Sequence, residues 1–580
     1  MTSVNLQRRF ARFFIINGYL PKILLAAIIG CVTGVVAIAF HKSLEWASAF
    51  VLSPFQGENA LPWWCFAPVP AIGGLLVGFI LFKVTKTPEA AGQGTDNMIH
   101  SFHHKGGKIR RRVAPVKFLT SVITLSTGGS AGYEGPVSQI GSGVASGICR
   151  LFRMPRSLHG IFMLAGTAAG LGAIFKAPLA GALTSVEVLY REDFESNAFV
   201  TSIVASVTSF TIYIAFVGAT PVFAVTPLFP FTNFYELLAC ALLGVLCAPF
   251  SYFYVKFYEK TEKSFAHFKI NNAFKPAIGG LLTGLLILAY PEVAGGDFTA
   301  VGNLFTNLLP TTFLGVMMLL GIVLAKIIAT GFTVGSGGSG GVFGPSLFIG
   351  GFLGAAFAGV FEIIFPGLLR VPEAMILVGM GAFFAGAAKA PIAGVVMVCE
   401  MTGSYSLLPG LLMSSVMHIA FSRSWSIYKS QVKNKFSSPA HRGEMDQDVL
   451  RVVQVKEVMT LQELCPLRGS DSLMGVLPYI DSSSVYPVYE ENEYLGLLDM
   501  SVLRNTYMAA PGMLRHLLIS DCTVKAPLLL ASQDLHAASR IFVRTGVSEL
   551  CVKNAKGEII GILTHSSIFK VYDKIVSGKL

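Results

Sequence analysis

The chain has 580 residues, of which 53% are apolar and only 13% charged, with 60 glycines, a net charge of +11 and a mean hydropathy of +0.62. Soluble chains carry about 25% charged residues, so an ordinary soluble enzyme is excluded, and 44 phenylalanines exclude disorder. The nine cysteines fall in no CxxC or metal-ligating spacing, which argues against a disulfide framework and a zinc site.

In chain order, a basic start (Arg8, Arg9, Arg12, Lys22) precedes the first apolar run, Ile23–Phe40. The positive-inside rule places this N-terminal segment, residues 1–22, in the cytoplasm, together with the basic loop Lys105–Arg112. Further apolar runs are Ala71–Phe82, Phe199–Phe216, Leu237–Phe253, Phe313–Lys326, Leu347–Phe365 and Ala374–Phe384. Several are shorter than the roughly 20 residues of a straight span, and glycine and proline interrupt them. Broken intramembrane helices are tolerated where the freed backbone lines a cavity or is buried in protein. Residues 23–430 are therefore expected to form a transport domain.

This half contains a repeat. Lys117–Pro136 (KFLTSVITLSTGGSAGYEGP) matches Lys326–Pro345 (KIIATGFTVGSGGSGGVFGP) without gaps at an offset of 209 residues, 326 minus 117. Lys176–Gly181 (KAPLAG) matches Lys389–Gly394 (KAPIAG), each followed by an acid, Glu187 and Glu400. Two copies of a broken-helix unit build one site between them, near the bilayer midplane. The letters alone leave open whether the copies run parallel or inverted.

In each copy glycines precede a proline, and proline is favoured just inside a helix start. Gly132–Pro136 and Gly341–Pro345 therefore read as loops feeding helix N-termini, whose free N–H groups attract an anion without binding it as tightly as a full charge would. The alternative is a packing motif between helices. Glu134 has no counterpart in the second copy, where Phe343 stands. An acid at that depth is functional by default. It competes with an anion for one place and so can gate by protonation; a helix-capping carboxylate is the plainer reading. Glu187, repeated as Glu400, is expected to pack helices, and Lys117 and Lys326 to hold backbone carbonyls or acids. Trp63 and Trp64 read as an interfacial anchor.

After Tyr428 the composition turns polar. Residues 431–447 read as a linker and 448–580 as a small α+β module. Val485–Asp499 and Val547–Thr564 look alike, with Gly496 and Gly561 equivalent, a tandem repeat of about 448–506 and 514–580.

These motifs together resemble the CLC chloride channel and transporter family, with a C-terminal pair of CBS domains. The resemblance implies an all-α polytopic membrane fold of about 18 tilted or broken helices in two inverted halves, a homodimer with no nucleic-acid partner, and a place in the cell membrane, as in a bacterial inner membrane, with the CBS pair in the cytoplasm. GYEGP resembles the family's G-[RK]-E-G-P, making Glu134 the gating glutamate. GVFGP resembles G-x-F-x-P, whose amides at Val342 and Phe343 would bind chloride beside Gly135, while Tyr428 matches the tyrosine that closes the inner side.

Three departures stand out. GQGTDN at Gly92–Asn97 stands where the family has GSGIPE, putting Gln93 at a chloride-binding position. Tyr133 replaces the usual Arg or Lys. Val188 occupies the inner proton site, where exchangers carry a second Glu. Valine there points to a gated chloride channel, with a proton-coupled chloride exchanger as the alternative. In the CBS copies the family's terminal acid is missing, so an adenine nucleotide at Thr564 and Ser567 is a weakened expectation. No other cofactor or metal and no enzyme chemistry is expected: no nucleophile–base pairing is legible, and GGSGG lacks the GK[ST] of a phosphate loop.

Overall fold

The computed structural model describes residues 19–56, 60–223, 234–296, 298–306, 312–422, 425–441, 450, 453–476, 478, 485–491, 493–499 and 516–576. Most of the expected N-terminal segment and most of the join between the two C-terminal copies lie outside them. Two compact units result, 1–440 and 441–580.

The first unit is helical. Its helices are α1 (Tyr19–Leu52), α2 (Val69–Phe79), α3 (Gly94–Lys105), α4 (Val113–Ser126), α5 (Glu134–Leu151), α6 (Arg156–Ile174), α7 (Pro178–Glu187), α8 (Ser196–Val217), α9 (Phe234–His267), α10 (Lys275–Ala289), α11 (Thr299–Thr306), α12 (Phe313–Gly335), α13 (Phe343–Ile364), α14 (Ala374–Ala388), α15 (Pro391–Thr402) and α16 (Leu408–Phe421). Among the described residues six helical stretches are long and apolar enough to cross a membrane, and others, such as Lys275–Ala289 and Pro391–Thr402, are too short to do so alone. The apolar core runs through α5, α6, α12, α13 and α14.

The repeat is visible in how helices cross. Gly141 on α5 meets Gly166 on α6 so closely that a Cβ on either would lie 2.2 or 2.3 Å from the other's carbonyl oxygen. Gly350 on α13 and Gly379 on α14 form the same crossing, again at 2.3 and 2.2 Å. Such contact is how helices associate where no water drives them together.

The halves are related by reciprocal contacts. The Glu187 carboxylate, at the end of α7, accepts from the N–H groups of Ile392 (3.1 Å) and Ala393 (2.7 Å) at the start of α15. Glu400, near the end of α15, accepts from Leu179 (3.2 Å) and Ala180 (2.8 Å) at the start of α7. Each acid caps the other's helix. Reciprocity means a two-fold relation, and end-to-start pairing makes α7 and α15 antiparallel, so the axis lies across the helices: the repeat is inverted.

The stretch after Tyr428, expected as a linker from residue 431, packs into the first unit instead. Arg191 N–H donates to the Val432 carbonyl (2.9 Å), and the buried His103 ring meets Ser438 Oγ at 2.8 Å. Residues 442–449 lie outside the described set.

Among its described residues the second unit holds two four-stranded sheets, built from β3 (Thr460–Leu461), β4 (Leu467–Arg468), β5 (Val485–Glu490), β6 (Glu493–Asp499), β7 (Thr523–Val524), β8 (Leu529–Leu530), β9 (Glu549–Lys553) and β10 (Ile559–Thr564), following β1 (Gly92–Gln93) and β2 (Ser339–Gly340) of the first unit. The orders are β4-β5-β6-β7 and β3-β10-β9-β8. Each sheet is a hairpin flanked by one parallel strand, with its fourth strand taken from the start of the other copy. Gly496 and Gly561 sit where that fourth strand crosses: a Cβ would lie 2.3 Å from the Val524 carbonyl oxygen and 2.2 Å from that of Thr460. The helices α17 (Leu473–Val476), α18 (Leu535–Thr545) and α19 (His565–Val576) complete the unit.

Candidate functional site

Three glycine-rich loops meet inside the first unit. β1 and β2 pair in parallel, Gly92 with Ser339 and Gln93 with Gly340. Gly132 and Gly341 exchange both backbone hydrogen bonds at 2.9 Å. Each loop runs straight into a helix, α3 at Gly94, α5 at Glu134 and α13 at Phe343, so three helix starts converge. The loops approach so closely that side chains are excluded. A Cβ on Gly94 would lie 2.1 Å from the Gly135 carbonyl oxygen, and one on Gly135 would lie 2.7 Å from Gly341 Cα.

Buried polar side chains hold these loops in mirrored pairs. Lys117 Nζ donates to the carbonyls of Ala90 (3.2 Å) and Gly92 (2.7 Å), and Lys326 Nζ to those of Val293 and Gly295, both at 3.1 Å. Thr333 Oγ1 accepts from Ser130 N–H (3.1 Å), and Thr124 Oγ1 from Ser339 N–H (3.2 Å). The shared lysines thus anchor backbone, their ammonium groups met by carbonyls that meet the cost of burial.

At the junction Glu134 is wholly buried. Its Oε2 accepts from Gly344 N–H at 3.0 Å, in the first turn of α13, while Oε1 has no hydrogen-bond partner among the described residues. The carboxylate of one repeat therefore lies at the helix start of the other, where an anion is favoured. Tyr428 is wholly buried too, with its hydroxyl beside the Thr95 side chain and, among the described residues, no partner in good hydrogen-bond geometry. Buried polar atoms are normally bonded, so the open Glu134 Oε1, together with the poorly satisfied Tyr428 hydroxyl, marks a place built for something else.

The remaining candidates surround them. Val342 and Phe343 open α13. The Val342 carbonyl accepts from the Tyr254 hydroxyl of α9 (2.9 Å), and the Phe343 ring packs 4.1 Å from that of Phe384. Gly135 lies in the first turn of α5. Gln93 is buried beside the segment that carries Tyr428, and its amide nitrogen donates to the Ile427 carbonyl (3.3 Å), which commits an N–H that chloride binding would use. Val188 is wholly buried just after α7, and its carbonyl accepts from Gln431 Nε2 (3.1 Å).

Several positioning residues escaped the sequence reading. The Gln431 amide nitrogen also reaches the carbonyls of Tyr190 (2.9 Å) and Ala388 (3.0 Å), and its oxygen accepts from Ser426 Oγ (2.7 Å), which in turn accepts from Tyr428 N–H (3.2 Å). Asp96, on α3, accepts from Ser430 N–H (2.8 Å) and Oγ (3.0 Å). Its signal was a charged residue directly beside the first loop. In the second unit Thr564 and Ser567 bond each other, hydroxyl to hydroxyl at 2.7 Å, and Ser567 N–H donates to Thr564 Oγ1 at 3.1 Å, an arrangement that caps α19.

Fold and site together define a polytopic membrane protein made of two inverted halves around a junction of helix starts. Residues 73–423 match the family model described as voltage gated chloride channel. The chain is 30% identical over 401 residues to a ClcB-like protein of Ralstonia nicotianae, covering 68% of this chain and 91% of that one. It is 32% identical over 407 residues to the H(+)/Cl(-) exchange transporter ClcA of Salmonella paratyphi B, covering 67% and 82%. A solved eukaryotic CLC transporter matches with a TM-score of 0.60 at 19% identity, covering 95% of this chain and 98% of that one. The chain belongs to the CLC family of voltage-gated chloride channels and transporters.

Proposed function

We propose that this chain exchanges chloride for protons across a membrane. The observation that carries the reading is the Glu134 carboxylate, lying across the first turn of α13 with one oxygen bonded to Gly344 N–H and the other open. Ionised, it holds the place of an anion; protonated, it gives up the competition and chloride enters. Each chloride passage is then tied to a protonation of the same group. Gly135, Val342, Phe343 and Tyr428 cradle the chloride with partial charges, and Gln93 borders it. Exchange is favoured over the channel expected from Val188 because ClcA relatives at 32% identity carry the name of H(+)/Cl(-) exchangers. A gated chloride channel is the second reading, and the specific observation behind it is the buried valine at position 188, which cannot carry a proton.

The proposed unit is a homodimer in a bacterial inner membrane, with the N-terminus and the second unit in the cytoplasm. The short helices α7, α15 and α16 expose Leu179, Ile392, Leu412 and Val416, an apolar side that a second copy would cover. The second unit is proposed as a CBS pair: its two sheets repeat one topology, and the match to the eukaryotic CLC transporter spans 95% of the chain. An adenine nucleotide at Thr564 and Ser567 would have to separate a pair of hydroxyls that already satisfy each other.

Purified protein in liposomes tests the exchange. A chloride gradient is expected to drive protons uphill at fixed stoichiometry; chloride flux with no proton movement would leave the channel reading. Equilibrium dialysis with ATP tests the nucleotide.

A further inference from the structure

Partial charges bind an anion only if they are aimed at it, and the aim of a backbone N–H is set by whatever holds its peptide. Resting on the reading of the loop junction as a chloride site, we infer that Tyr254 is a positioning residue of that site. Its hydroxyl, donated from α9 to the Val342 carbonyl at 2.9 Å, turns the Phe343 N–H toward the chloride.

The peptide joining Val342 to Phe343 is planar, and in a trans peptide the carbonyl and the N–H point in opposite directions. A group that fixes the carbonyl therefore aims the N–H. Phe343 opens α13, and the first four N–H groups of a helix have no partner within it. The next in that row, on Gly344, is already taken by Glu134 Oε2 at 3.0 Å. The Val342 carbonyl has two lone pairs. One accepts from Ser346 N–H in α13 itself, at a long 3.3 Å. The bond from Tyr254 is the shorter, and it comes from a different helix, so it ties the peptide plane where the helix's own turn holds it loosely. A hydrogen bond on the carbonyl also polarises the peptide, which strengthens the N–H on the far side as a donor.

The hydroxyl is itself held in place. Tyr254 is wholly buried, and its ring centroid lies 6.3 Å from that of Phe383 on α14. The Phe343 ring leans on the next residue of the same helix, Phe384. Both ends of the bond are thus braced against α14. Bulk alone does not call for a hydroxyl here: elsewhere along α9 the aromatic positions 250, 253, 257 and 265 are phenylalanines. The tyrosine stands where the helix passes the anion loop.

Chloride titration calorimetry on the full-length protein in detergent tests this, beside a thermal melt and flux in liposomes. Tyr254→Phe keeps the ring and removes the donor. It is expected to weaken chloride binding about two- to tenfold, the range of one hydrogen bond, while the melt moves little and flux recovers at high chloride. Tyr258→Phe, one turn further along α9, is the control and should bind chloride like the parent. Unchanged affinity in Tyr254→Phe overturns the inference. So does an equal loss of affinity in both variants, or a lowered melt with flux lost at every chloride concentration, since either makes Tyr254 a packing residue of α9 only. A parent that binds no chloride overturns the reading of the anion site itself, a different result from these.

Discussion

Glu134 and Lys117 are both wholly buried charged residues of the first repeat, yet their surroundings assign them opposite tasks. The Lys117 ammonium is met by two carbonyls, whereas Glu134 leaves one oxygen open. Replacing the lysine by methionine is therefore expected to cost stability, because two carbonyls lose a charged donor, each such bond being worth about 1.5–3 kcal/mol; a thermal melt in detergent should fall well below the parent's. Replacing Glu134 by glutamine keeps the shape and removes the titration. Chloride flux should persist while its pH dependence and its coupling to protons vanish, and a variant whose flux follows pH like the parent would strip Glu134 of the gating role. In the second unit, burial pushes the Cys551 thiol up to about 12. At neutral pH it is almost wholly protonated and unreactive, while Cys465 is exposed. Brief maleimide treatment followed by mass spectrometry should label Cys465 and spare Cys551. At this scale the sequence revealed Glu134 because it breaks a repeat. It hid Asp96 and Gln431 because their significance lies in partners more than 200 residues away along the chain, Ser430 for the one and Val188 for the other.

Among elements, the repeat was the most legible feature, since close helix approach admits glycine alone and glycines therefore recur at fixed offsets. Gly141 and Gly350 are 209 residues apart, the same offset as the anion loops. The orientation of the halves was not legible: parallel and inverted copies have the same letters, and only the exchange of caps between α7 and α15 separates them. Alanine at Gly141 or Gly350 would force two helices apart, an overpacking penalty of about 1–3 kcal/mol, and both variants should melt lower than one at Gly147, which meets nothing within 4 Å. Glu187→Gln and Glu400→Gln each retain a single carboxamide oxygen for two N–H donors. Because the caps are mirror copies, the two losses in melting temperature should be similar. A much larger loss of transport than of stability in one of them would show that the symmetry ends at function.

For the molecule as a whole, low charge and interrupted apolar runs announced a membrane protein with a broken interior, and the described helices have that character. The boundary after Tyr428 was not legible, because polarity by itself does not distinguish a linker from a packed polar segment. Gln431 and Ser438 are polar residues bound to carbonyls and a buried histidine, and the Val432 backbone pairs with that of Arg191 and Leu189, so a polar stretch serves as packing. Truncation after Ala440 is therefore expected to leave the transport unit folded, whereas truncation after Tyr428 removes the Gln431 fastening and should abolish flux; equal activity of both truncations would contradict this.

The exchanged carboxylates carry a lesson about assembly. Neither half owns the acid that closes its own short helix, so a severed N-terminal half would reach the bilayer with bare amides at Leu179 and Ala180. Made as two separate polypeptides, the halves should be degraded singly and rescued by coexpression, each acting as the other's chaperone.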